Sequence, residues 1–172
     1  MKFVAPTMEY EKEIRAFRQE FLISGGSMDG GLSLKRTENI ADWIKLAEDC
    51  SKAETCPAKL VPQTQFIYVR EDDNKVIGVI QIRHYLNEYL EKYAGHIGYS
   101  VCPSERRKSY ATKMLRDALP ECEKLGLRKV LVCCLDDNEG SRKTIVNNGG
   151  VYESTVYEPN SKVNLERYWI TL

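Results

Sequence analysis

Residues 98–112, GYSVCPSERRKSYAT, predict the end of a β-strand, a sharp turn and the start of a helix. A helix start exposes unpaired backbone N–H groups and the positive end of the helix dipole, which together suit a phosphate group. Arg106, Arg107 and Lys108 add three cations at this end, where the dipole disfavours them. The segment therefore predicts an anion site, the alternative being a solvated basic face beside a helix start.

A second strand-to-helix junction, DDNEGSR at 136–142, follows the most apolar strand pattern of the chain, 128–135. In open α/β sheets, ligands bind beyond the carboxyl ends of the strands. Asn138 and Ser141 are small polar residues at that place, and the alternative role of each is to cap the helix. The two junctions together predict an elongated ligand with a phosphate at one end and amide-like groups at the other.

The remaining sequence alternates between strand and helix patterns. We expect strands at 2–6, 65–69, 76–82, 96–101, 128–135, 151–158 and 165–172, and helices at 9–23, 37–47, 85–93, 104–125 and 138–147. Pro120 lies inside the fourth helix and should kink or split it. We therefore predict an α/β fold, one domain over residues 1–172, with a mixed, mostly antiparallel central sheet of about six to seven strands flanked by helices.

Composition excludes several classes of protein. The chain has 172 residues, and its 25 Lys and Arg balance 25 Asp and Glu. This zero net charge disfavours nucleic acid as a partner, because general attraction to phosphates requires a strongly basic domain. No run approaches the ~20 apolar residues of a membrane span, so we expect no membrane partner, and no signal peptide is recognisable. The six cysteines form no CxxC pair and no zinc spacing, so we expect reduced thiols, a cytoplasmic location and no metal.

The two junctions resemble those of the GNAT superfamily of N-acetyltransferases. The family signature, Arg/Gln-x-x-Gly-x-Gly/Ala after a strand, is matched by RRKSYA at 106–111. The second family block is matched by Asn138 and Ser141, followed by the NNGG turn at 147–150. The order of strands and helices is similar as well, so the resemblance covers essentially the whole chain. It implies a GNAT fold and an acetyl-CoA-dependent enzyme that transfers an acetyl group to a primary amine of a small molecule or peptide.

The resemblance also implies which residues bind coenzyme A. The backbone N–H groups from Arg107 to Thr112 would hold its pyrophosphate, with charge from the three preceding cations, and the strand before the turn would pair with the pantetheine arm. The implied cofactor-binding residues are Tyr99, Ser100, Val101, Arg106, Arg107, Lys108, Ser109, Tyr110, Ala111, Thr112, Asn138 and Ser141.

Two residues depart from the family pattern. Ser109 stands where the family usually has glycine, and its Cβ costs little if the helix has already begun there. Ile145 stands seven residues after Asn138, where many members place a tyrosine that protonates the departing thiolate. Isoleucine cannot donate a proton, so another acid or the solvent must do so.

The expected chemistry, direct attack of a neutral amine on the thioester, is helped by a base and an acid. His96 is the candidate base, because the ordinary pKa of histidine is near 6.5, and its alternative role is structural. Tyr99 is the candidate acid, and its alternative role is in the core. Glu88 and Glu91 are further candidates, for attracting a cationic amine, unless they form a solvated helix face.

Two other functions compete with the acetyltransferase. A non-catalytic acyl-CoA-binding module is favoured by Ser109 and Ile145, and a different phosphate-binding enzyme could use the same turn. In this architecture the acceptor pocket would come from the loops at 24–34 and 51–65 and from 85–95, which do not identify the amine. The resemblance also makes a homodimer possible.

Overall fold

The computed structural model describes all residues, 1–172, and forms one seven-stranded sheet with five α-helices. The strands are β1 (Lys2–Val4), β2 (Gln63–Val69), β3 (Val76–Arg83), β4 (Ile97–Val101), β5 (Lys129–Leu135), β6 (Val151–Glu158) and β7 (Val163–Thr171). The helices are α1 (Glu11–Ser24), α2 (Ile40–Cys50), α3 (Glu88–Tyr93), α4 (Tyr110–Lys124) and α5 (Glu139–Val146). The sheet order is β1-β2-β3-β4-β5-β7-β6, and only β4 and β5 are parallel, so the predicted mixed, mostly antiparallel sheet is confirmed.

Helices cover both faces of the sheet because its central strands are apolar on both sides. On one face, Met114, Leu115 and Ala118 of α4 pack with Ile80 and Ile82 of β3. On the other face, α1 and α2 contribute a second cluster whose largest buried side chains are Phe17, Phe21 and Trp43. None of the helices has both the length and the hydropathy that crossing a membrane requires.

The parallel pair opens along its length. Strands β3 and β4 stay in register over five pairs, from Ile82 opposite Ile97 to Gly78 opposite Val101. In contrast, β4 and β5 share one pair, Ile97 opposite Val132, so the two strands diverge toward their carboxyl ends. Helix α4 provides the crossover that a parallel pair needs. The strand-to-helix junction after β4 therefore lies on one side of this β4–β5 opening, and the junction after β5 lies on the other.

The fourth helix differs from its predicted bounds. Residues Pro103–Glu105 form a short 3₁₀ turn, and Arg107 and Ser109 have φ of 61°, which an α-helix does not tolerate. The helix consequently begins at Tyr110. It is not split at Pro120. Both Pro120 and Arg116, whose carbonyl loses its donor there, are exposed, so water can supply the missing hydrogen bond.

Candidate functional site

A row of free backbone donors lines the turn between β4 and α4. No backbone N–H from Arg106 to Thr112 donates to an acceptor within the protein, and the first to do so is that of Lys113, 3.1 Å from the Ser109 carbonyl. A helix alone leaves its first few N–H groups unpaired, and here the row extends back through the preceding loop. Successive N–H groups in such a bend form an anion-binding concavity at the positive end of α4.

Ser109 occupies the left-handed region that glycine favours. It is the N-cap of α4, with φ 61° and ψ 14°, and its side chain makes no capping hydrogen bond. The condition under which serine would cost little, a helix that has already begun at this position, is therefore not met. The glycine of the family pattern has a physical reason here, because the turn requires positive φ.

Ser109→Gly is expected to stabilise the fold by about 1 kcal/mol, since it removes the left-handed penalty of a residue with Cβ. For a chain of this length that raises the unfolding midpoint by roughly 2–4 °C. Thermal unfolding measures it. Lys162→Gly is the matched control, because Lys162 also has positive φ (57°) and lies outside the turn. A destabilised Ser109→Gly beside a stabilised control would mean that the serine side chain supports the turn.

The three cations of the turn differ in their surroundings. Nε of Arg106 donates to the Val101 carbonyl at 3.3 Å, and its guanidinium lies 5.7 Å from the ring centre of Phe21. Nζ of Lys108 donates to Glu105 at 2.8 Å. Arg107 is exposed and has no partner within the protein. Of the three, Arg107 is therefore the cation whose charge is most available to a ligand.

Glu105 ties this turn to the β2–β3 hairpin. Its buried carboxylate accepts bonds from Lys108 and Arg70 and pairs with Lys75 at 3.2 Å. Hydrogen bonds from Lys108, and then from Arg70 and Lys75, hold the pKa of Glu105 at about 2. A charged network thus anchors the turn to the hairpin, and the sequence did not reveal it because Arg70 and Lys75 lie far from Glu105 in the chain.

Tyr99 reaches across the β4–β5 opening. Its hydroxyl lies 2.7 Å from the Ser141 hydroxyl at the start of α5, and burial raises the pKa of the phenol above its usual value. Asn138 has the helix-capping role that was its alternative in the sequence analysis, since its Oδ1 accepts the Ser141 N–H at 3.0 Å at the start of α5. Its Nδ2 group has no acceptor in the protein and stays available to a ligand. Ile145 is fully buried in the core.

The other sequence-derived residues lie around the same opening. Ser100 is buried, and its hydroxyl donates to the Asp29 carbonyl at 2.7 Å, which directs it toward the α1–α2 side. Val101 ends β4, and Tyr110, Ala111 and Thr112 form the first turn of α4. The structure thus gathers all twelve proposed cofactor-binding residues onto β4, the turn, and the starts of α4 and α5. Their roles stay predictions.

The contacts of His96 argue against a role as general base. The ring is buried, its Nδ1 accepts the backbone N–H of Leu131 at 3.0 Å, and the His96 N–H donates to the Leu131 carbonyl at 2.7 Å. The neutral ring then carries its proton on Nε2, so neither nitrogen has a free lone pair. Burial, and then the charge of Arg83, lower the pKa of His96 to about 4. These contacts favour the structural alternative.

The lowered pKa of His96 predicts a loss of stability in mild acid. The unfolded chain binds a proton near pH 6.5 and the folded one only near 4, so the contribution is complete above about pH 6.5 and declines as pH falls toward 4. The expected result is that His96→Gln flattens the decrease in unfolding midpoint across this window, while His84→Gln, at a half-exposed ring, changes it less. An unchanged pH dependence in His96→Gln would contradict the assignment.

A cavity of about 400 Å³ lies on the α1–α2 side of the sheet. One wall is the loop at 29–31. Three side chains fix this loop, each by a hydrogen bond to one of its three successive backbone carbonyls. The Ser100 hydroxyl donates to Asp29, Nε2 of Gln65 to Gly30 at 3.0 Å, and Nε1 of Trp43 to Gly31 at 2.8 Å. The three loops predicted to form the acceptor pocket meet here, and Gln81 and Arg83 of β3, which lie outside the predicted ranges, complete the lining.

The sequence model of the acetyltransferase (GNAT) family matches residues 35–146. The chain belongs to this family. Its fold is that of solved acetyltransferases, although no curated protein sequence matches it. The microcin C7 self-immunity acetyltransferase MccE, solved with acetyl-CoA and AMP, is 17% identical, with a TM-score of 0.71 over 99% of this chain and 91% of its own.

Two further structures show the same GNAT architecture. Ribosomal-protein-S5-alanine acetyltransferase from Vibrio fischeri is 15% identical, with a TM-score of 0.71 over 98% of this chain and 91% of its own. A variant of spermidine N-acetyltransferase SpeG from Vibrio cholerae is 13% identical, with a TM-score of 0.66 over 99% and 95%. These likenesses show the fold. One of the two proteins is named for a polyamine, spermidine, and the other for a ribosomal protein.

Proposed function

We propose that residues 1–172 act as one acetyl-CoA-dependent N-acetyltransferase that acetylates a primary amine by direct attack. The observation that carries this proposal is the row of free backbone N–H groups from Arg106 to Thr112, at the carboxyl end of β4 and beside the β4–β5 opening. A diphosphate fits such a row, because the donors converge at a helix start. Family membership supports it as well, because RRKSYA at 106–111, which resembles the family's acetyl-CoA signature, lies within the matched residues 35–146. The six free cysteines support a cytoplasmic location.

The opening offers groups for the rest of the cofactor. Gly98 to Val101 lack register partners on β5, so this edge of β4 is suited to an amide-containing arm, as in strand addition. On the opposite side of the opening, Nδ2 of Asn138 is a free donor. Acetyl-CoA supplies the activated acetyl thioester, and the residues of the opening orient it between β4 and α5.

Tyr99 is the proton donor that best replaces the tyrosine missing at Ile145. The phenol keeps its proton at neutral pH and can give it to the departing sulfur, and burial, which raises its pKa, makes it a weaker acid than an exposed tyrosine. The Ser141 hydroxyl, 2.7 Å away, holds the phenol in place and can relay a replacement proton from water, so that both hydroxyls end protonated. The attacking nitrogen forms the new C–N bond as the C–S bond breaks, and it loses its own proton to water, since His96 has no free lone pair.

Tyr99→Phe is expected to lower kcat about 100-fold, the usual worth of a positioned acid, while the KM for acetyl-CoA changes little. The ring stays in place, so the unfolding midpoint should move by only a few degrees. Tyr157→Phe, at an exposed tyrosine of β6, is the control and should keep full activity. A wild-type kcat in Tyr99→Phe would assign the proton transfer to solvent.

Thiol release from acetyl-CoA with a panel of primary amines tests the proposal. Amine-dependent release is the expected result. Coenzyme A binding without turnover across the panel would favour the acyl-CoA-binding module, which is consistent with the burial of Ile145 and the occupied Nδ1 of His96. Protection from heat by nucleotides but not by acetyl-CoA would identify a different phosphate-binding enzyme.

A further inference from the structure

The sheet face that α1 and α2 cover is apolar over most of its length, but at one end of β2 and β3 it carries four polar side chains instead. In β3, Gln81 and Arg83 continue the side of Val79, because alternate residues of a strand share a face. In β2, Gln63 lies directly opposite Arg83, and Gln65 opposite Gln81. This two-by-two group, which we call the polar quartet, lies at the cavity of about 400 Å³, and Gln63, Gln81 and Arg83 line it.

Arg83 is the unusual member of the polar quartet. Its Nη1 donates to the Gly95 carbonyl at 2.9 Å, which is its one hydrogen bond within the protein, and it forms no salt bridge. A guanidinium has five N–H donors, and Arg83 is half-buried, so most of these donors lie at the cavity without a protein acceptor. Burial lowers the pKa of Arg83, yet an arginine keeps its charge in proteins. The cavity therefore contains a half-buried cation with unused donors.

The neighbours of Arg83 add donors, and none of them forms a salt bridge with it. Gln81 is 6% exposed, its amide has no hydrogen-bond partner in the protein, and it faces the cavity. Lys59 adds a second cation to the lining. Asp29 is the one carboxylate in the lining, and it accepts the Ser27 hydroxyl at 3.0 Å. Glu88 and Glu91, which the sequence offered for a cationic amine, line a separate surface depression instead.

We propose that the acceptor of this enzyme is an amine that carries its own carboxylate, which Arg83 binds with Gln81 beside it. This rests on the proposed acetyltransferase function and names its substrate class. The planar fork of a guanidinium matches a carboxylate with two parallel hydrogen bonds. Asp29 and Gly30 lie at the β4 side of the same cavity, where Gly30 packs against Gly98, so the amine end of the acceptor points toward the β4–β5 opening.

Matched compounds test the charge requirement. Thiol release is measured with the twenty L-amino acids, with their carboxamides and with their decarboxylated amines. We expect the best acid to exceed its amide and its decarboxylated amine in kcat/KM by about 100-fold, the usual effect of a charge-assisted bidentate pair. Equal rates with the neutral compounds would overturn the proposal while leaving the acetyltransferase intact. Higher rates with aminophosphonates would replace the carboxylate by a phosphonate-type group and overturn it too.

Variants locate the effect at Arg83. Arg83→Gln should lower kcat/KM for the acid about 100-fold, leave that of the amide within about threefold, and leave the KM for acetyl-CoA unchanged. Arg83→Lys keeps the charge without the fork and should lose about tenfold, which keeps the test valid if the glutamine variant folds poorly. Arg116→Gln, at an exposed residue of α4 on the opposite face, is the control and should behave as wild type.

A binding measurement separates this inference from the proposed function. Amino acids alone, without acetyl-CoA, should raise the unfolding midpoint of the wild-type chain but not of Arg83→Gln. If this difference appears while no amine is acetylated, the carboxylate site stands and the proposed function fails. If amines are acetylated and Arg83→Gln retains the full preference for acids over amides, the carboxylate site fails.

Discussion

Gly30→Ala is expected to destabilise the protein by about 3 kcal/mol and to lower kcat/KM for the amine more than 100-fold. Gly30 has φ of +73°, where an added Cβ costs about 1–2 kcal/mol. A Cβ at this position would also lie 2.0 Å from the Gly98 carbonyl oxygen, a backbone atom that cannot rotate away, and overpacking adds about 1–3 kcal/mol. Relief requires the loop at 29–31 to leave β4, which opens one wall of the cavity.

The matched control separates the clash from the backbone strain. Gly25 has almost the same φ, +74°, but nothing lies within 4 Å of a Cβ built there. Gly25→Ala should therefore cost only about 1–2 kcal/mol and leave turnover near wild type. Thermal unfolding and steady-state kinetics give both numbers. Equal effects of the two variants would show that the contact of Gly30 with β4 does not shape the site.

The two Michaelis constants of Gly30→Ala should change to different extents. Gly30 faces the cavity on the α1–α2 side, whereas the free N–H row belongs to the turn before α4. We expect the KM for acetyl-CoA to change less than threefold in folded Gly30→Ala. The three side chains that hold the loop, Ser100, Gln65 and Trp43, keep their other packing, so the core clusters should remain.

The strand, turn and helix at 98–112 could be predicted because local signals determine them. An apolar strand, Cys102-Pro103 and a cationic helix start are neighbours in the chain, so periodicity and capping rules apply directly. The exact helix start could not be predicted, because it depends on positive φ at Arg107 and Ser109, which these residue types do not favour. The Glu105 network that fixes this turn includes Arg70, which lies 35 positions before Glu105 in the chain.

The acceptor cavity shows a different limit of sequence reasoning. Gln81 and Arg83 interrupt an apolar strand at alternate positions, which is a readable signal, but it indicates only a polar end on one face. Their juxtaposition with Gln63 and Gln65 depends on the register of β2 with β3, and their access to a cavity depends on the loop at 29–31. Likewise, His96 had a suitable ordinary pKa, but its bond from Leu131 is a contact between strands that composition cannot show.

The largest effect on the cofactor is expected when Arg106, Arg107 and Lys108 are all replaced by alanine. The KM for acetyl-CoA should rise about 100-fold, because the chain loses the charges that complement a diphosphate, each bond to a charged group being worth about 1.5–3 kcal/mol. The backbone N–H row remains, so some affinity persists. The kcat at saturating acetyl-CoA should stay within about threefold, since Tyr99 and Ser141 are unchanged. Isothermal titration with coenzyme A and steady-state kinetics measure the two effects.

The single variants divide this effect according to the contacts of each side chain. Arg107→Ala should account for the largest share, about tenfold, because Arg107 has no protein partner, whereas Lys108 is already paired with Glu105. Replacing the exposed cations Arg116, Lys124 and Arg128 removes the same net charge elsewhere and should change the KM less than threefold. The effect should also decline with added salt, as expected for an exposed charge. Equal increases in the KM for acetyl-CoA in the two triple variants would mean that the turn contributes only general electrostatic attraction. An unchanged KM in the variant of Arg106, Arg107 and Lys108 would exclude the turn as the diphosphate site.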